Sequence, residues 1–145
     1  MTNEQKELLE RRFDDAAKKQ PELALLKQLL VKLGGRLLVA PPKPDPDLSA
    51  LLASGFVTSG SVKLVAMRDS SCHQNVSLIW RARKFGIVGI ATGYALSKDG
   101  LWQQHSWGIL REGILETTER RVKYFGIVLQ GSRADRFART NLKRY

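Results

Sequence analysis

The sequence contains the three kinds of side chain that together activate a sulfur nucleophile. Cys72 is the only cysteine, and it is followed at once by His73, one of two histidines. The other histidine, His105, precedes Glu116. A thiolate is generated by a base, and a third group has to orient that base. A thiol, an imidazole and a carboxylate in this order therefore predict nucleophilic chemistry at sulfur.

The thiol belongs to a predicted helix. Apolar residues recur at helical spacing between Cys72 and Arg83. Ser71, followed three residues later by Gln74, forms a capping-box pattern that makes Ser71 the N-cap and puts Cys72 in the first turn. Unpaired backbone N–H groups and the positive end of the helix dipole favour a thiolate at that position. The sequence therefore predicts a lowered pKa for the Cys72 thiol.

The imidazole and the carboxylate belong to a predicted meander of three antiparallel strands. The strands run from Ile87 to Leu96, from Trp102 to Leu110 and from Ile114 to Leu129, the last interrupted near residues 118–121. Residues equidistant from the turn at 111–113 face one another, so His105 and Glu116 fall within a few positions of each other. Adjacent strands lie about 4.8 Å apart, which lets a Glu side chain reach a ring nitrogen.

The N-terminal part predicts a separate group of elements. Apolar spacing indicates a helical pair between Glu4 and Leu33, with Pro21 in the first turn of the second helix and Gly34-Gly35 as its stop. The expected organisation is a helical segment at 1–40, a proline-rich connector at 41–47 and an α+β core at 48–145. Within that core we also expect a short helix at 48–53, a strand at 62–67 and a C-terminal helix at 133–142.

The segments SSCHQN, QQHSWG and ILETT give the chain a resemblance to the papain-like and transglutaminase-like superfamily over about residues 60 to 130. The resemblance implies an α+β fold in which the helix carrying the cysteine packs on an antiparallel sheet. It also implies that Cys72 is the nucleophile, His105 the base that later protonates the leaving group, and Glu116 the residue that orients it. Two features depart from the family pattern: a Glu replaces the usual Asp or Asn, and no Gln stands a few positions before Cys72.

Five further residues are expected to support substrate or the oxyanion: Ser71, His73, Asn75, Gln103 and Trp107. The Cys72 backbone N–H, with Ser71 or Gln103, is expected to stabilise the developing negative charge. The His73 side chain points about 100° away from that of Cys72 on a helix, which suggests contact with substrate or solvent rather than a role as base. Trp107 shares the face of His105 by strand alternation and is expected to shield the imidazole from water.

Charge and composition limit the partners. The net charge is +10 and the pI about 10.1, and residues 51–145 carry nearly all of the excess. Such a field favours acidic partners, namely nucleic acid, an anionic membrane surface or an acidic protein. No apolar run approaches the roughly 20 residues of a membrane-spanning helix. A polar start and a lone cysteine favour a cytoplasmic protein, although an effector exported without a signal peptide has the same features.

The leading hypothesis is a thiol-dependent hydrolase or acyl transferase that needs no cofactor. The Cys72 thiolate attacks a protein or peptide amide, and water or an amine resolves the thioester; peptidase, deamidase and transglutaminase-like activities share this first half. The main alternative is a non-enzymatic basic module that binds nucleic acid or an acidic protein. A metal site of Cys72, His105 and Glu116 or His73 is disfavoured because paired ligand spacing is absent.

Overall fold

The computed structural model describes residues 1–143 and has the α+β class that the sequence predicts. The helices are α1 (Asn3–Lys19), α2 (Leu23–Leu33), α3 (Leu48–Ser54), α4 (Cys72–Ala82) and α5 (Gly131–Asn141). The strands are β1 (Leu37–Leu38), β2 (Phe56–Thr58), β3 (Ser61–Leu64), β4 (Gly89–Leu96), β5 (Leu101–Leu110), β6 (Gly113–Glu116) and β7 (Lys123–Leu129). Strands β1 and β2 were not expected from the sequence, because two or three residues are too short for a periodic signal.

The strands form one mixed sheet in the order β2-β7-β4-β5-β6-β3, with β1 beside the start of β5. Strands β4, β5 and β6 form the predicted antiparallel meander, whereas β3 pairs with β6 and β1 with β5 in parallel. The consecutive strands β2 and β3 lie at opposite ends of this order, so the sheet curls back toward itself.

The expected third strand is in fact two strands, which corrects the predicted topology. It is interrupted after Glu116, and β7 then pairs with β4 on the side opposite β5. The polar run from Thr117 to Arg121 forms the loop that carries the chain across. Strand β4 thereby acquires a partner on each edge and is buried along its whole length.

The predicted N-terminal helical pair is confirmed. Helix α1 begins with a capping box between Thr2 and Gln5, and α2 ends at Gly34. Pro21 was expected in the first turn of α2, but it lies in the turn before that helix, and Glu22 is the N-cap. The apolar faces of α1 and α2 are buried in the same core cluster as α4 and the strands.

Alternation along β4 separates two apolar layers. Ile90 and Tyr94 face the helices and belong to the larger layer, which includes residues from α1, α2, α3, α4 and α5. Ala91 and Ala95 face the other way, into a smaller layer with Trp107 and other side chains of the curled sheet. The candidate site lies where these two layers meet at the edge of β5.

The proline-rich segment at 41–47 is joined to the core by a buried carboxylate. Asp45 is 4% exposed and accepts a hydrogen bond of 2.8 Å from the Tyr94 hydroxyl. The Gln20 side chain bonds both the backbone N–H and the carbonyl of Asp45. The segment is therefore fixed to the sheet and to α1 rather than acting only as a connector. Among residues 1–143, no helix is both long and apolar enough to cross a membrane.

Candidate active site

A gap in strand pairing along β5 makes room for the start of α4. One edge of β5 pairs with β4 over most of its length. On the other edge, β1 pairs with Leu101 and Trp102, and β6 pairs with residues 108–110. Within the described chain, no strand pairs with residues 103–107 on that edge. The first turn of α4 contacts β5 there, through the hydrogen bond between His73 and Ser106.

Cys72 and His105 form a pair at this junction. The His105 side chain and the backbone N–H of Ser106 both lie close enough to the Cys72 sulfur to lower the pKa of the thiol. The Nε2 atom of His105 is bonded to Glu116 at 2.8 Å, which leaves Nδ1 as the ring nitrogen for the thiol. His105 is 2% exposed, whereas Cys72 is half-buried and lines a cleft.

The environment favours the charged forms of this pair. Burial alone would raise the pKa of the Cys72 thiol, but the hydrogen bond and positive charge of His105, with the Ser106 N–H, lower it below the ordinary value. Burial alone would lower the pKa of His105, but its hydrogen bonds to Cys72 and Glu116 raise it. The arrangement therefore favours a thiolate beside an imidazolium.

Glu116 is a carboxylate surrounded by donors. Its Oε1 accepts from His105 Nε2 and from the Tyr124 hydroxyl at 2.9 Å. Its Oε2 accepts from the backbone N–H of Thr117 and from both the N–H and the hydroxyl of Thr118, at 2.9 to 3.1 Å. Burial would raise the pKa of Glu116, but these bonds, led by that from His105, lower it. Glu116 is thus held ionised and fixed in position.

Aromatic rings cover the imidazole on the side of the smaller apolar layer. The Trp107 ring stacks on His105 with centroids 6.0 Å apart, and Trp107 is fully buried. Tyr124 packs against both rings. This packing keeps water from that side of the ring.

Glycines in neighbouring strands make space for these rings. Gly93 lies opposite His105 on β4 and opposite Gly126 on β7. A Cβ atom on Gly93 would collide with the Phe125 carbonyl oxygen and lie 2.6 Å from Gly126 Cα. A Cβ atom on Gly126 would lie 2.8 Å from the Trp107 ring. Both positions therefore require glycine.

Ser71 does not cap α4 in the way that its sequence pattern suggests. The helix begins at Cys72 with Ser71 as N-cap, as predicted, but the serine makes no side-chain cap bond. Its hydroxyl instead donates to the Asp69 carbonyl, and its backbone (φ −126°, ψ 35°) is not the extended conformation that a capping box requires. The preceding Ser70 has φ 57°, which sets this tight entry into the helix. The capping-box prediction is therefore wrong.

His73 and Asn75 make contacts within the protein. The Nδ1 atom of His73 is bonded to the Ser106 hydroxyl, which donates to Thr92 Oγ1 at 2.9 Å. Asn75 is 3% exposed and donates to the Arg68 carbonyl at 2.7 Å. Asn75 is not among the residues that line the cleft, and its bond holds the loop before α4; its contact with substrate stays a prediction. His73 still lines the cleft with its remaining surface.

The Cys72 thiol opens on a cleft of about 680 Å³. One wall is the end of the β1 segment and the first prolines of the 41–47 segment, and the other is the loop at 118–121. Gln103 is exposed at its floor, two residues from His105. The Arg121 guanidinium bonds Ser97 Oγ, Thr118 Oγ1 and the Glu119 carbonyl. These bonds hold the loop at 118–121 in place, and the Arg121 guanidinium uses its donors on protein groups.

Several residues of the site carry no signal in the sequence alone. Ser106, Thr92 and Tyr124 are ordinary strand residues until the strand pairing places Thr92 beside Ser106 and Tyr124 beside Glu116. The glycine in the middle of β4 offers the one usable signal, because glycine inside a strand often marks a close approach. In the part of the chain that the structure describes, no group of three or more His, Cys, Asp and Glu side chains is placed to hold a metal ion.

Comparisons of the chain with models of known protein families, with curated protein sequences and with solved structures found no match.

Proposed function

We propose that the protein is a thiol-dependent hydrolase or acyl transferase acting on amides. The observation that carries the proposal is the buried His105 ring, which is bonded to the Glu116 carboxylate and lies beside the Cys72 thiol, whose pKa it lowers. Three groups with shifted pKa values that meet at the wall of a cleft are typical of an active site. The order of a cysteine at a helix start, a histidine on one strand and an acid on the next also supports a relation to papain-like and transglutaminase-like enzymes.

In the first half of the reaction, the Cys72 thiolate attacks the carbonyl carbon of an amide. A C–S bond forms, and the π electron pair of the carbonyl moves to oxygen. The pair then returns, the C–N bond breaks, and the proton on His105 Nδ1 passes to the leaving nitrogen. The products are a thioester on Cys72 and a free amine, or ammonia when the substrate is a carboxamide.

In the second half, neutral His105 accepts a proton from water or from an amine as that molecule attacks the thioester. The C–S bond breaks, and the thiolate and imidazolium are restored. Glu116 stays ionised throughout and stabilises the imidazolium by its hydrogen bond to Nε2. Water yields a carboxylic acid and an amine yields a new amide, so hydrolysis and transfer differ only in the acceptor.

The oxyanion is stabilised by the N-terminal end of α4. The backbone N–H of Cys72 lies in the first helical turn, where N–H groups have no intrahelical partner. The Gln103 side chain on the cleft floor supplies a second donor. In well-studied acyl-transfer enzymes, each donor of this kind lowers the activation free energy by about 3 kcal/mol.

An acylation experiment tests the proposal. The protein is mixed with 4-nitrophenyl acetate and with a pool of glutamine-containing peptides, and its intact mass is followed. We expect a hydroxylamine-sensitive acyl adduct on the wild-type protein, none on Cys72→Ala, and release of ammonia or peptide fragments only with the wild type. The proposal fails if Cys72 forms no adduct and its thiol has the ordinary pKa of about 8.5.

A second candidate function rests on the basic face formed by α4 and α5. A depression on this face is lined by Arg81, Arg83, Arg136, Arg139 and Lys143, with Asp135 as the one acid among its lining residues. Asp135 is bonded to Trp80 and Arg83. Along α5, Arg133 occupies the first turn, where the helix dipole disfavours a cation. We propose that this face binds duplex nucleic acid through its phosphates, since among residues 1–143 the depression exposes no large apolar or aromatic side chain.

A further inference from the structure

Two consecutive residues of α4 contact two consecutive residues of β5. Cys72 meets the ring of His105 and the backbone N–H of Ser106, and His73 meets the Ser106 hydroxyl. In a strand, neighbouring side chains point to opposite faces. The first turn of α4 therefore holds β5 from both sides, with the thiol on the imidazole side and His73 on the helix-facing side.

The Ser106 contact is part of a buried hydrogen-bond chain. Ser106 is fully buried, and its hydroxyl donates to Thr92 Oγ1 on the neighbouring strand. A hydroxyl has one proton, so Ser106 Oγ is left to accept from His73, whose Nδ1 carries the hydrogen. These hydrogen bonds connect α4 to β5 and β5 to β4, so each of them joins two different elements.

Apart from the bond of Asn75 to the Arg68 carbonyl, the first turn of α4 has few other attachments. Ser71 makes no side-chain cap bond, and Ser70 enters the helix with a positive φ. An uncapped helix start tends to fray, because its first N–H groups lack partners. The contact between His73 and Ser106 therefore has a large share in fixing where the Cys72 sulfur lies.

We propose that His73 is a positioning residue, whose hydrogen bond to Ser106 holds the first turn of α4 so that the Cys72 sulfur meets the His105 ring. This inference rests on the proposed function, because it concerns activation of the same thiol. A misplacement of about 1 Å can cost an enzyme about 100-fold in rate. The site thus depends on a histidine that transfers no proton in the reaction.

The local charges are consistent with this role. Burial lowers the pKa of His73, and the nearby charge of His105 lowers it further, against the opposing effect of Asp45. A neutral His73 keeps its Nδ1 hydrogen for Ser106 and adds no second positive charge beside the His105 imidazolium. Among the groups that the pKa of His73 responds to, His105 is the cation and Asp45 the anion.

The test measures the apparent pKa of the Cys72 thiol from the pH dependence of its alkylation by iodoacetamide, in the whole 145-residue chain. His73→Ala and Ser106→Ala remove the bond. In His73→Asn the side-chain amide nitrogen replaces Nδ1 and can still donate to Ser106. Gln74→Ala is the matched control, because Gln74 lies in the same turn and makes no side-chain hydrogen bond with any residue from 1 to 143. Circular dichroism verifies that each variant folds.

We expect His73→Ala and Ser106→Ala to raise the thiol pKa toward 8.5 and to slow alkylation at pH 6 at least 10-fold. We expect His73→Asn and Gln74→Ala to retain the wild-type profile. The inference is overturned if the alkylation profile of His73→Ala is that of the wild type. If His73→Ala does not fold, a wild-type profile in Ser106→Ala overturns it instead. It is also overturned if His73→Asn has the same profile as His73→Ala. A wild-type pKa near 8.5, together with the absence of an acyl adduct on Cys72, overturns the proposed function itself, and the two failures are thereby distinguished.

Discussion

His105 Nε2 donates to Glu116 Oε1 over 2.8 Å, although the two residues are not opposite each other in the sheet. Strands β5 and β6 pair Gly108 with Leu115, and the same register places Trp107 opposite Glu116. His105 is therefore the diagonal neighbour of Glu116, on the same face and within reach of a long side chain. This diagonal arrangement places Trp107 directly beside the His105 ring and the Glu116 carboxylate, where it shields their hydrogen bond from water.

This bond predicts that removing the imidazole changes the acidity of the thiol. In His105→Ala the Cys72 thiol loses its main hydrogen-bond partner and its nearest cation, while burial still disfavours the thiolate. We expect the thiol pKa to rise to at least 8.5, which lowers alkylation by iodoacetamide at pH 6 by at least about 300-fold relative to a fully ionised thiol. Alkylation rates from pH 5 to 10 measure the shift, with Cys72→Ala as the unlabelled control. An unchanged pH profile would contradict the proposed dyad.

Glu116→Gln is expected to destabilise the fold as well as the site. All five groups that bond the carboxylate are donors, so the amide nitrogen of Gln meets donors in either orientation. Breaking a buried charged pair costs about 3 to 5 kcal/mol. Urea unfolding at pH 7 measures this loss. Tyr124→Phe removes one donor and should cost only about 1 to 2 kcal/mol; equal losses for both variants would argue against a central carboxylate.

The same groups predict how stability changes with pH. Because the pKa of Glu116 is lowered by folding, its contribution is present above about pH 4.5 and is lost as the pH falls through the folded value. Because the pKa of His105 is raised by folding, its contribution is present below about pH 6.5 and is lost as the pH rises through the folded value. We expect these two contributions to be largest together between about pH 4.5 and 6.5. Urea titrations at several pH values test this, and His105→Ala should abolish the loss on the alkaline side.

Gly93→Ala should disrupt the sheet beside the imidazole. The added methyl group would overlap the backbone of Phe125 and Gly126, and neither strand can move without shifting His105 or Trp107. We expect a loss of about 2 to 3 kcal/mol in the free energy of unfolding. Gly86→Ala is the control, since its Cβ would meet no atom of residues 1–143 within 4 Å. Only the φ of 72° opposes this change, at a cost of about 1 kcal/mol. Similar losses for both variants would mean that the contact between strands is not tight.

The basic face of α4 and α5 predicts salt-dependent binding that is independent of the thiol. A labelled DNA duplex should bind the protein at low salt. In the double variant Arg136→Ala/Arg139→Ala, the negative slope of log affinity against log salt concentration should become less steep by about two. Fluorescence anisotropy between 50 and 200 mM KCl measures it. The control is Arg11→Ala/Lys18→Ala on the exposed surface of α1, which removes the same charge. An equal effect of the control would show attraction by net charge alone.

The sequence determined the parts of this protein that depend on local patterns. Helices α1, α2 and α4 follow from apolar spacing, and the start of α4 at Cys72 was predictable despite the absent cap bond. The meander of β4, β5 and β6 followed from polar turns between apolar runs. The proximity of His105 and Glu116 could be inferred because a single tight turn separates their strands.

Only the tertiary structure decided what surrounds these groups. The pairing of β7 with β4 brings Tyr124 to Glu116, and no local pattern indicates which edge of a sheet a strand will join. The docking of α4 against the uncovered stretch of β5 joins His73 to Ser106. Such contacts join residues that are distant in the chain, and they form because buried polar groups need partners once the two apolar layers have packed.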